Sequence, residues 1–265
     1  MLPPGQTKLR NEEIDQFMTT PQVITQFVQV PHGDLNISAY LARPETSELL
    51  PAIIVIQEIF GVNYHIRDVV ERFAKEGYVA IAPALYQRTA PGFETGYTKE
   101  DITLGRSYAQ QTTAEELLAD IQATIDYLKA ENLVQDGAIG CIGFCFGGHV
   151  AYLAATLPDI KATASFYGAG IALRTPGGGG IPTITRTQDI KGTIYTFFGA
   201  EDASIPLDQV AAIRTELEQH QIKHKVLVYE GAGHGFFCNA RDSFNSSAAA
   251  AAFQEVQELF QQEFL

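Results

Sequence analysis

From residue 50 to the C-terminus, short apolar runs alternate with longer segments of helical period, and few architectures accommodate that alternation. Ala52-Ile53-Ile54-Val55-Ile56 has no polar face, so a strand there needs cover on both sides. Further short runs at Tyr78–Ala82, Ala138–Gly143, Lys161–Tyr167, Thr193–Phe198 and Lys225–Tyr229 read as strands. Between them, Arg67–Lys75 sets Val69, Val70, Phe73 and Ala74 on one helical face and stops at Gly77. Thr113-x-x-Glu116 reads as a capping box, and the helix behind it aligns Leu117, Leu118, Ile121, Ile125 and Leu128. Phe146–Ala155, Leu207–Gln219 and a final helix from about Ser247, with Phe253, Val256 and Phe260 on one face, complete the set. Strand–helix alternation predicts the α/β class, with a mostly parallel central sheet flanked by helices. Val23–Val30 and Leu35–Ala42, joined by a turn at Pro31-His32-Gly33-Asp34, predict an antiparallel edge. Residues 85–112 are polar and turn-rich and read as a long loop, and Gly177–Gly180 mark a second loop. With no internal repeat or dividing linker, the expectation is a single domain over residues 22–265 behind an N-terminal arm, 1–21.

Composition removes several function classes. The 265 residues carry a formal charge of −13 with no basic run, which suits neither nucleic acid nor an anionic membrane. No apolar stretch approaches the roughly 18 residues that would span a bilayer. Met1–Thr20 is polar, without the apolar core of a secretory signal. Three cysteines, an odd number, suit a reducing cytoplasm better than a disulfide framework. The cysteine spacing matches no zinc pattern and the histidines do not cluster along the chain, so no metal site is expected. There is no Walker A motif. Gly168-Ala169-Gly170-Ile171-Ala172-Leu173 fails as a dinucleotide fingerprint because Leu stands at its third small position.

The chemistry concentrates at strand ends. Gly143-Phe144-Cys145-Phe146-Gly147 follows an apolar strand and opens a helix, which is the context of a nucleophile elbow, here with Cys for Ser. Small residues on either side let strand and helix backbones pass closely, and the helix N-terminus favours a thiolate. His234, in Gly231-Ala232-Gly233-His234-Gly235-Phe236, follows the last predicted strand, and its glycines suit a backbone shaped to present one imidazole. Asp202 follows another strand end, with Glu201 beside it as a competing acid. The order Cys145, Asp202, His234 is the nucleophile–acid–histidine order of α/β-hydrolases. Glu58 leaves the end of the wholly apolar strand, where a carboxylate is costly unless paired.

Gln57-Glu58-Ile59-Phe60-Gly61 together with Gly143-Phe144-Cys145-Phe146-Gly147-Gly148 resembles the dienelactone hydrolase family, the carboxymethylenebutenolidases, over roughly residues 22–263. The resemblance implies an α/β-hydrolase fold and a Cys145–His234–Asp202 triad acting on a small lactone or carboxylic ester through an acyl-enzyme, with no metal or organic cofactor. It implies an oxyanion hole from the backbone N–H groups of Ile59 and Phe146. It also implies that Glu58 hydrogen-bonds and masks the resting Cys145 thiol. The family's substrate carboxylate is held by two arginines. Arg88 matches the first through its Tyr86-x-Arg88 setting, which makes both residues substrate-binding candidates. The second arginine's place is taken by Cys238, and a serine expected after the histidine is Gly235, leaving Arg241 as the substitute. Two other readings use the same residues: a thioesterase or acyltransferase on this fold, and a non-catalytic binding protein that kept it. Either a monomer or a small homo-oligomer is compatible with the sequence.

Overall fold

The computed structural model describes residues 22–178 and 180–264. The proposed arm, 1–21, lies outside the described residues. One eight-stranded sheet runs in the order β1-β2-β4-β3-β5-β6-β7-β8. Its strands are β1 (Val23–His32), β2 (Leu35–Pro44), β3 (Leu50–Ile56), β4 (Val79–Pro83), β5 (Val134–Phe144), β6 (Ile160–Phe166), β7 (Thr193–Gly199) and β8 (His224–Tyr229). Only β1–β2 and β2–β4 pair antiparallel; the other pairs are parallel. The hairpin closes on Gly33-Asp34, because β1 continues through Pro31 to a His32–Leu35 pair. Proline is tolerated there because β1 is the sheet edge and no neighbour needs its missing N–H.

The helices are α1 (Tyr64–Lys75), α2 (Lys99–Ala109), α3 (Ala114–Ala130), α4 (Phe146–Ala154), α5 (Leu207–Gln219) and α6 (Ser246–Phe264), with a 3₁₀ turn at Thr183–Asp189. Alternate residues of each central strand feed opposite cores. Ile53, Val55, Ala80, Ala82 and Ile142 join the side chains of α1 and α6, including Ile66, Phe73, Val256 and Phe260. Ala52, Ile54, Ile56, Val79 and Ile81 join Leu117, Ile121, Ile125 and Leu128 of α3 and Val150 of α4. Cover on both faces is what the unbroken apolar strands require. Among the described residues, no helix is long and apolar enough to cross a membrane.

One stretch departs from expectation. Residues 85–112 are not all loop: Thr98 caps α2, its hydroxyl accepting from the Asp101 N–H while the Asp101 carboxylate accepts from the Thr98 N–H. The helix lacks an apolar stripe, and Gly105 is its only buried residue, seated against the backbone carbonyl of Ile59. Polar on nearly every side, α2 gives no periodic signal, yet it lines one wall of the site below.

Candidate active site

Cys145 sits between β5 and α4 with φ 55° and ψ −115°, a left-handed backbone that a non-glycine residue adopts only when its surroundings force it. The surroundings are the crossing of β5, β3 and α4. A Cβ on Gly143 would fall 2.0 Å from the Gly147 carbonyl oxygen, and one on Gly147 would fall 2.3 and 2.4 Å from the carbonyl oxygens of Ile56 and Gln57. The Cys145 N–H donates to the Phe166 carbonyl at 3.0 Å, tying the turn to the end of β6. The side chain is half-buried and lines a cavity of about 510 Å3, a volume suited to a small molecule.

His234 lines the same cavity. Its Nδ1 lies 2.7 Å from Asp202 Oδ2, and the Ser204 N–H donates to Asp202 Oδ1 at 2.8 Å, so both carboxylate oxygens are engaged. Asp202 is buried, whereas Glu201 faces solvent, which separates the two candidate acids. Burial works against a charge on His234, but the Cys145 sulfur and the Asp202 carboxylate outweigh it and push its pKa up to about 10. With Nδ1 committed to Asp202, Nε2 is the nitrogen left for the sulfur. The Tyr167 ring, itself at φ 36°, meets the imidazole edge-on at 5.2 Å and fixes its tilt.

Ile59 and Phe146 also line the cavity. Phe146 opens α4, so its N–H has no helical acceptor. The Ile59 N–H has no backbone acceptor among the described residues.

Glu58 is completely buried and bonds elsewhere than the family resemblance implies. Arg241 Nη1 donates to Glu58 Oε1 at 3.0 Å, and Oε2 has no partner among the described residues; no bond to the Cys145 thiol forms. The Arg241 guanidinium also lies 5.7 Å from the Phe60 ring centre and 5.9 Å from that of Tyr97. Gly235, at φ 83°, makes room for it: a Cβ there would fall 2.5 Å from Arg241 Nη1. A side chain at position 235 would displace Arg241 from this place.

Arg88 does not reach the cavity. It forms a two-pronged ion pair with Asp120 of α3, at 2.5 and 2.7 Å, in a separate small recess. Asp120 is buried, and a buried carboxylate claims the nearest guanidinium. Tyr86 is buried too, packed against Phe146 at 5.8 Å and Tyr108 at 6.0 Å, near Cys145 but outside the cavity lining. The cavity is lined by Arg241, paired with Glu58, and by Arg106 of α2 and Arg174 of the glycine-rich loop, the last two pairing with no carboxylate among the described residues. Neither Arg106 nor Arg174 stands out in the sequence. His149 holds that loop: its Nδ1–H donates to the Ala169 carbonyl at 3.1 Å, and its Nε2 pairs with the Thr183 hydroxyl at 2.7 Å. Burial and the nearby Arg174 press its pKa down to about 3, so it remains a neutral strut.

A parallel-rich sheet with a tight, strained turn between a central strand and a helix is the α/β-hydrolase fold. Residues 37–264 match the model of the dienelactone hydrolase family. A Synechocystis protein named "Putative carboxymethylenebutenolidase" is 54% identical, with 92% of this chain and 99% of the relative covered. A Bradyrhizobium protein named "Probable 2-oxo-3-(5-oxofuran-2-ylidene)propanoate lactonase" is 28% identical, covering 90% and 94%. The solved structure of a "Putative Dienelactone Hydrolase" from Klebsiella pneumoniae superposes with a TM-score of 0.83 at 32% identity, over 91% of this chain and 99% of the other. The chain belongs to the dienelactone hydrolase family, and it is a hydrolase of that kind.

Proposed function

We propose that this protein hydrolyses small lactones or esters that carry a carboxylate, through a thioester on Cys145. The observation that carries the reading is the 2.7 Å bond from Asp202 to His234 Nδ1, which leaves Nε2 for a sulfur presented on a strained elbow in the cavity. The Cys145 sulfur attacks the carbonyl carbon, its proton held by His234. The backbone N–H groups of Ile59 and Phe146 stabilise the oxyanion. The C–O bond breaks as His234 returns the proton to the leaving oxygen, which in a lactone stays tethered to the acyl group. Water, deprotonated by His234, then attacks the thioester, and the hydroxy acid and the thiol are released. Asp202 holds the imidazole in the required tautomer and offsets its charge.

The substrate class rests on the cationic lining. In a chain of net charge −13, Arg106 and Arg174 face the cavity without acidic partners among the described residues. The named Bradyrhizobium lactonase points to the same chemistry, a lactone bearing a propanoate. A charge-assisted hydrogen bond lost from such a site is worth about 1.5–3 kcal/mol. Arg174→Gln and Arg106→Gln are therefore expected to raise KM for a carboxylate-bearing lactone by about tenfold or more. Hydrolysis of a neutral aryl ester should change by less than about twofold, since that substrate makes no such bond. Steady-state kinetics on the two substrates separate the cases. Equal changes on both would remove the arginines from carboxylate recognition.

A further inference from the structure

Spacing along the chain matches no metal pattern, yet the fold gathers three donors from distant positions. Glu58 after β3, His65 on α1 and Cys238 after β8 each offer one ligand atom, and these atoms all lie within 4.8 Å of one another. All three residues are buried, and His65 is only 2% exposed. Among the described residues, neither ring nitrogen of His65 has a hydrogen-bond partner, and neither does Glu58 Oε2. Buried polar atoms are rarely left unpaired, and here a carboxylate oxygen and an imidazole lie beside a thiol.

The outer contacts fit ligation as well. Arg241 occupies Glu58 Oε1 and orients the carboxylate, leaving Oε2 available. The Cys238 sulfur lies 3.4 Å from the Tyr97 hydroxyl, a group able to turn and donate to a thiolate. Such outer partners accompany ligating side chains generally. An entry path exists too. A second recess, of about 270 Å3, reaches His65 between Asn63, Tyr97 and Ala240, and shares no lining residue with the catalytic cavity.

We propose that Glu58, His65 and Cys238 form a site for one divalent transition-metal ion, with zinc the best match, entered through this second recess. Thiolate, imidazole and carboxylate are the donors zinc takes, and three protein ligands leave a fourth position for water. Binding forms the metal–sulfur bond as the Cys238 S–H proton leaves to solvent, and no electron changes hands. Glu58 binds ionised and His65 neutral. Because Glu58 also holds Arg241, the ion would rest against the wall of the catalytic cavity without entering it.

The test uses Co2+ as a spectroscopic probe on the full-length Cys145→Ala protein, which removes the accessible thiol of the catalytic cavity. The expected result is a cobalt–thiolate charge-transfer band that saturates at one equivalent and is displaced by Zn2+. Adding Cys238→Ser should abolish the band. Adding His65→Phe, a ring suited to the neighbouring Phe144 and Phe237, should weaken the apparent affinity by at least about tenfold. Near-ultraviolet circular dichroism of each variant checks that the core is kept, and the two substitutions test the site independently. No saturable binding by the Cys145→Ala protein would overturn the proposal, leaving the cluster as support for Arg241 alone. A thiolate band that survives Cys238→Ser would overturn it as well.

Discussion

Cys145→Ala is expected to lower kcat for lactone hydrolysis on the order of 10⁵- to 10⁶-fold, the scale at which removing a nucleophile disables a catalytic triad. The residual rate would come from binding and the oxyanion hole alone. The substitution removes one sulfur from a half-buried position facing the cavity, so the fold has little reason to respond. Thermal unfolding should stay within about 1 kcal/mol of the wild type. That combination, chemistry lost and stability kept, identifies a group used for reaction. A variant that retained even a tenth of the wild-type rate would transfer the nucleophile's role to another group.

The second large effect is on stability and comes from a residue that touches no substrate. At Gly147 a single methyl group would meet two backbone oxygens of the β3 end, at 2.3 and 2.4 Å. Neither can give way as a flexible side chain would, because β3 is pinned between β4 and β5. Gly147→Ala must therefore push α4 off the sheet. Overpacking of this kind costs about 3 kcal/mol or more, or roughly 10 °C in Tm for a chain of this size. Activity should fall with it, because α4 carries the Phe146 N–H and the end of β3 leads to the Ile59 N–H. Calorimetry and kcat on one preparation test both. A Tm within 2 °C or so of the wild type would show that the crossing is looser than described.

The strands were legible because burial on both faces leaves no room for polar residues, as Ala52–Ile56 illustrates. The elbow was legible because it demands a small residue on each side of Cys145: Gly143 because of the Gly147 carbonyl within the turn, and Gly147 because the turn passes against the end of β3. Helix α2 was not, since Gly105 is its sole buried residue and no periodic stripe exists to be read. Its Thr98–Asp101 cap was the one available signal. Arg88 illustrates a different limit. Its local setting matches a substrate-binding arginine, but its actual partner, Asp120, stands on helix α3, 32 positions away. Glu58 shows the same limit, paired with Arg241 across 183 positions. Turns and periodicities lie within a few residues, whereas charges choose partners through space.

A thioester on Cys145 would show itself in the mass of the protein during turnover. A slowly hydrolysed aryl ester is mixed with excess protein, quenched in acid, and the intact mass and peptide map are recorded. The predicted result is a mass increase equal to one acyl group, located on the peptide containing Cys145 and absent from Cys145→Ala. Acylation at a different residue, or turnover with no acylated protein at any quench time and no dependence on Cys145, would rule out Cys145 as the nucleophile.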